Sequence, residues 1–143
     1  YKMYKEICEP KNDYIQTKNG YIKIVGDSLS NKQRNMLNIA TRVAETSTFN
    51  KNRHGAVIVK SGRILSVGVN KWRNQDLVNS HSYSPDSTVH AEIDALSRVD
   101  DPKGSIIYVS RVNQHGEELF SRPCERCSKA LIKAKVKAVV YTA

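Results

Sequence analysis

The chain is short of the features that mark several broad protein classes. It has only 3 Cys in 143 residues, an odd number that rules out a fully disulfide-paired framework within one chain. With 7 Gly and 4 Pro it has neither a collagen-like nor a low-complexity composition. No apolar run approaches the roughly 18 residues that a membrane helix needs, and Tyr1 to Pro10 lacks the apolar core of a secretory signal. The expectation is a cytoplasmic protein with no membrane partner. Acidic residues are also scarce: 14 Asp and Glu face 23 Lys and Arg, for a net charge of +9. That balance favours anionic partners, nucleotides or nucleic acid.

What is present describes one globular domain, since 39% hydrophobic residues in a chain of 143 suffice for a single core and not for two. Residues 1–27 read as a polar N-terminal extension, with Tyr14-Ile15 and Tyr21 to Val25 flanking Lys18-Asn19-Gly20 as a candidate hairpin. Residues 28–143 form the main domain. Ser30-x-x-Gln33 predicts a capping box, followed by apolar residues at helical spacing to about Ser47. Ala56 to Val59 and Ile64 to Val69 predict a hairpin around Ser61-Gly62. A long polar loop at 70–87 precedes a helix from about Val89 to Val99, with Asp86, Ser87 and Thr88 as candidate caps. A buried strand at 106–109, a polar excursion from Arg111 to Arg122, a helix opening at Pro123 and a final strand over Lys135 to Thr142 complete an α/β layout.

Two short motifs carry the chemistry. His90-Ala91-Glu92 sits at one helix start and Pro123-Cys124-Glu125-Arg126-Cys127 at another, with residues 93–122 between them. An imidazole and two thiolates are three good Zn2+ ligands, and a fourth position left to water makes such a site catalytic. A carboxylate beside that water, Glu92, suits general acid/base work better than ligation. A redox pair or a structural zinc knuckle are the plainer readings of Cys124 and Cys127. The first leaves His90-Ala91-Glu92 unexplained, and the second lacks a clear fourth ligand.

Together the motifs match the H-x-E and P-C-x-x-C signature of zinc-dependent nucleobase deaminases. With His54 to Val59, Gly62-Arg63-Ile64 and Gly68-Val69-Asn70, the chain from about Asn31 to Tyr141 resembles the cytidine deaminase-like superfamily. The His in first place resembles its deoxycytidylate, tRNA adenosine and polynucleotide cytosine deaminase branches. The resemblance implies a three-layer α/β/α fold with a central mixed sheet flanked by helices, and makes 28–143 the deaminase domain. It implies that His90, Cys124 and Cys127 hold the metal and that Glu92 is catalytic. It further implies contact of Asn70 with the substrate sugar and of the Ala91 N–H with the base. Arg122 departs from the small or acidic residue that often precedes Pro-Cys in relatives.

The expected reaction converts the cytosine of a (deoxy)cytidine nucleotide to uracil. The alternatives are a deaminase of cytosine or adenosine in single-stranded DNA or RNA, including tRNA, and a nucleic-acid-binding module with purely structural zinc. A homo-oligomer is compatible with any of them. Arg122, Arg111, Lys71 and Arg73 are candidate phosphate or rim contacts, and Trp72 and Tyr83 candidate stacking residues. Arg126, Lys129 and Lys133 make a basic stripe that, counted about 200° round the helix from Cys124, should face away from the metal. His54, His81, His115 and Cys8 are assigned no role in the chemistry.

Overall fold

The computed structural model describes residues 12–17, 20–26, 29–72 and 88–142. Cys8, the Lys18-Asn19 turn, Arg73, His81, Tyr83 and the caps at Asp86 and Ser87 lie outside them. In chain order the described elements are β1 (Asn12–Thr17), β2 (Gly20–Val25), α1 (Asn31–Ala44), β3 (Arg53–Lys60), β4 (Arg63–Val69), β5 (Lys71–Trp72) and β6 (Thr88–Val89). They continue with α2 (Ala91–Leu96), β7 (Ile106–Val112), β8 (Glu118–Leu119), α3 (Glu125–Lys133) and β9 (Ala138–Tyr141).

The main sheet runs β1-β2-β9-β7-β3-β4, with β8 paired to β7. It is mixed: β9 is parallel to both β2 and β7, whereas β3 is antiparallel to β7 and β4. Because β2 pairs with the last strand, residues of the N-terminal extension belong to this sheet. Alternation along the central strands explains why both faces are covered. Val57, Val59, Tyr108 and Val140 face one way and pack with Leu37 and Ala40 of α1. Ala56, Ile58, Ile107, Val109 and Tyr141 face the other way and pack with Ala91 and Ala95 of α2 and Leu131 of α3. This is the three-layer α/β/α arrangement.

Local chemistry sets the element ends. Gln33 N–H donates to Ser30 Oγ at 3.1 Å and Ser30 N–H to Gln33 Oε1 at 2.9 Å, closing the capping box of α1. Ser61 and Gly62, with φ of 52° and 76°, make the tight turn between β3 and β4 that right-handed strand twist favours. Four predicted boundaries shift. Thr88 and Val89 pair with β5 instead of opening the helix, which starts at Ala91. Helix α3 starts at Glu125 and not at Pro123, with Cys124 as the residue before its first turn. Lys135, at φ 61°, delays the last strand to Ala138. The polar excursion contains β8, which folds back on β7 around Gly116.

The approach of α2 to the sheet is set at Gly68. A Cβ there would lie 2.4 Å from Ala95 N and 2.5 Å from Ala91 O, so any side chain pushes the helix outward. Gly68→Ala is therefore expected to lower stability by about 1–3 kcal/mol, the usual cost of overpacking. Urea unfolding checks the loss, and metal affinity should fall with it because α2 carries His90.

Candidate metal centre and active site

His90 is the residue before the first turn of α2 and Cys124 holds the same place on α3, while Cys127 lies within the first turn of α3. Both helices cover the same sheet face, so three ligand-type atoms converge within 4.8 Å of one another. His90 Nδ1 lies 3.2 Å from Cys127 Sγ and 3.7 Å from Cys124 Sγ. Bond lengths of about 2.05 Å to nitrogen and about 2.3 Å to sulfur on a tetrahedral zinc put such atoms about 3.6 Å apart. The two observed distances bracket that value. The Cys127 N–H points to Cys124 Sγ at 3.5 Å, and α3 is long enough for its positive end to favour thiolate.

The electrostatics of the cluster suit a bound cation. Burial pushes the Cys127 thiol well above its ordinary range, and the negative charges of Glu92 and Cys124 push it further. Burial, then the Arg126 guanidinium, lowers His90 and keeps its imidazole in the neutral form that binds metals. Glu92 is 3% exposed; burial raises its carboxyl, opposed by hydrogen bonds to its own backbone and to Cys127. Glu92 Oε1 is buried with no hydrogen-bond partner, an arrangement proteins rarely leave without a use. Two thiols, a neutral imidazole and an orphaned carboxylate oxygen fit a bound divalent metal that carries one exchangeable position.

A cavity of about 590 Å³ opens beside His90, lined by Thr48 to Asn52, His54, Asn70, Trp72 and Thr88. This volume lies within the range of small-molecule sites. Phe49 and Trp72 form an aromatic wall, ring centres 5.0 Å apart. His54 is held near pKa 4 by burial, then by the Arg111 guanidinium, and so is neutral. Asn70 borders the cavity with its amide engaged: Oδ1 accepts from Ser47 Oγ at 2.9 Å and His54 N–H at 2.8 Å, and Nδ2 donates to Asn52 O at 2.8 Å. Ala91 is buried as the first residue of α2, where the helix itself offers its N–H no acceptor.

The rim cations fare differently. Lys71 Nζ turns to Asp94 Oδ1 at 2.8 Å. Arg111 Nη2 donates to Asn52 Oδ1 at 2.5 Å and Nη1 to Phe120 O at 3.4 Å. Arg122 lies on the connection from β8 to α3. The basic stripe needs correction: Arg126 and Lys129 line a hollow of about 560 Å³ together with His90, Cys124 and Glu125. Counting turns from Cys124 fails because its backbone is extended, φ −70° and ψ 171°, and helical side chains lean toward the N-terminus. Sequence reasoning missed the wall from Thr48 to Asn52. Its one signal is a Phe, one of 2 in the chain, followed by a polar run immediately before a buried strand.

The family model "Cytidine and deoxycytidylate deaminase zinc-binding region" matches residues 30–143. The chain is 29% identical to a deoxycytidylate deaminase of Mycobacterium phage D29, over 73% of this chain and 89% of that protein. The dCMP deaminase of cyanophage S-TIM5 in apo form shares its fold at a TM-score of 0.58 and 24% identity, covering 79% of this chain and 84% of that one. The same cyanophage enzyme in complex with dCMP and dUMP gives a TM-score of 0.52 at 24% identity, with 79% and 82% covered. Among the described residues no helix is long and apolar enough to cross a membrane.

Metal analysis of protein expressed with ample zinc should find one zinc per chain. Cys124→Ala should lose most of it, and should lower the melting temperature by about 3 °C or more because the site ties α2 to α3. Full occupancy in that variant would contradict the assignment.

Proposed function

The chain belongs to the cytidine and deoxycytidylate deaminase family and is a zinc-dependent deaminase, and from that premise we propose that it hydrolyses the exocyclic amine of cytosine in a (deoxy)cytidine nucleotide. The observation that carries the reading is Glu92 Oε1, buried and without a partner beside the three ligand atoms. A zinc ion, which His90, Cys124 and Cys127 would hold, would make a water acidic enough to ionise near neutral pH. Glu92 is placed to take a proton from the attacking water and pass it to N3 of the pyrimidine, and then to take the proton of the hydroxyl newly bonded to C4 and pass it to the exocyclic amine as the C4–N bond breaks. Ammonia leaves and the uracil compound remains. The Ala91 N–H meets the base and Asn70 the sugar, against the wall of Phe49 and Trp72. Phosphate falls to Lys51 at the cavity and to Arg122 on the connection that leads into α3. Residues 28–143 constitute the deaminase domain and 1–27 an extension, of which β1 and β2 lengthen the sheet.

The relatives support a nucleotide substrate: one is a deoxycytidylate deaminase and another binds dCMP and dUMP. A second reading, deamination within single-stranded DNA or RNA, is favoured by Arg126 and Lys129 in the hollow that His90 shares with the substrate cavity.

Glu92→Gln should keep zinc and fold while losing at least about 100-fold in turnover, the scale of general acid/base catalysis. Mass-detected deamination checks this, and loss of zinc instead would make Glu92 a ligand. In a panel of deoxycytidine nucleotides and cytosine oligonucleotides, the mononucleotides should turn over faster, with little salt dependence. Faster oligonucleotide turnover, with binding that weakens by orders of magnitude between about 50 and about 200 mM salt, belongs to the polynucleotide reading.

A further inference from the structure

Asp94 is a buried carboxylate for which the acid/base chemistry has no use. Its side chain is 5% exposed, and it lies on α2, two residues beyond Glu92. Oδ2 accepts the Val69 N–H at 3.1 Å. Oδ1 meets Lys71 Nζ at 2.8 Å and Arg98 Nη2 at 3.3 Å. Arg98 Nη1 donates in turn to the Val67 carbonyl at 3.3 Å. Burying a carboxylate is costly unless charges and hydrogen bonds offset it, and here the offsetting groups all lie on Arg98 or on the segment from Val69 to Lys71. The two contacts to that segment bracket Asn70.

Asn70 is where the segment meets the substrate cavity. Its amide holds Ser47, Asn52 and His54, so it fixes both ends of the loop that supplies the Thr48 to Asn52 wall. Trp72, next after Lys71, closes that wall against Phe49. The helix that carries Glu92 is thus tied to the wall by the Asp94 side chain, in addition to the pairing of Thr88 and Val89 with Trp72 and Lys71.

We propose that Asp94 is a positioning residue for substrate binding: by holding Val69 and Lys71 it sets Asn70, the Thr48 to Asn52 wall and Trp72 in register with Glu92. In this role Lys71 is spent on Asp94 and does not bind the substrate phosphate. The kinetic part of the test rests on the nucleotide deaminase reading; the spectroscopic part does not, because Trp72 is the single Trp of the chain and reports without substrate.

The test compares zinc-loaded wild type, Asp94→Asn, Lys71→Met and the double variant. Asn keeps an acceptor for the Val69 N–H and removes the charge that holds Lys71. Asp94→Asn should raise KM for dCMP about tenfold with kcat within about threefold, the signature of lost binding and not of lost chemistry. Trp72 emission should shift to the red, with easier quenching by acrylamide and unchanged zinc content. Lys71→Met should move both readouts the same way, and the double variant should be no worse than Asp94→Asn, since the two substitutions break one interaction. KM for deoxycytidine, which has no phosphate, should rise in parallel. Wild-type KM and Trp72 emission in Asp94→Asn, a loss confined to melting temperature, additive effects in the double variant, or a KM rise restricted to the phosphorylated substrate would each overturn the proposal. If the wild type turns over neither substrate while Trp72 still responds to both single variants, the substrate reading falls and the positioning role stands.

Discussion

The contact of α2 with the sheet at Gly68 governs the geometry of the centre. Ala91 and Ala95 approach β4 so closely that no side chain fits between them, and this fixes how far His90 stands from the helix that bears the cysteines. Three ligand atoms on two helices can meet only if both helices lie on one face at a defined depth. That depth is set by small residues, Gly68, Ala91 and Ala95, while the apolar residues of β3, β7 and β9 fill the space below. Metal would reinforce what the packing has already arranged, since binding energy at a preformed site adds to folding energy.

The two sides of this arrangement do different work. Around the ligand atoms the packing is dry: Cys127, Ala91 and Leu131 are fully buried, which strengthens the attraction of the thiolates and of Glu92 for a cation. On the cavity side, the loops are tied together by amides and guanidinium groups. Asn70, Arg53 and Arg111 each bond main-chain or amide oxygens around Asn52 and Asn113. Much of the positive charge near the site thus organises loops before it can greet an anion.

Residues with fixed local spacing are the most legible from sequence. Cys124 and Cys127, three apart at a helix start, and His90 with Glu92 announce themselves, as do the capping box at Ser30 and the turn at Ser61-Gly62. The unbroken apolar run Ala56 to Val59 likewise tells of a strand. The cavity wall from Thr48 to Asn52 has no periodicity and reaches His90 only through tertiary structure, so nothing local marks it. Lys71 looks like a rim cation until its partner Asp94, far along the chain, is brought beneath it. Arg126 and Lys129 mislead for a different reason: helical counting presumes helical backbone, and Cys124 is extended. The short strand β8 escapes notice because two residues give no pattern.

The most direct test of this account is X-ray absorption at the zinc edge of the purified protein. The account predicts one nitrogen or oxygen shell at about 2.0–2.1 Å containing His90 and a water, and two sulfurs at about 2.3 Å from Cys124 and Cys127. The light-atom shell should change when a substrate analogue binds against the water. A shell of four protein ligands that does not change on adding analogue would show a closed structural site and contradict a catalytic role for this metal.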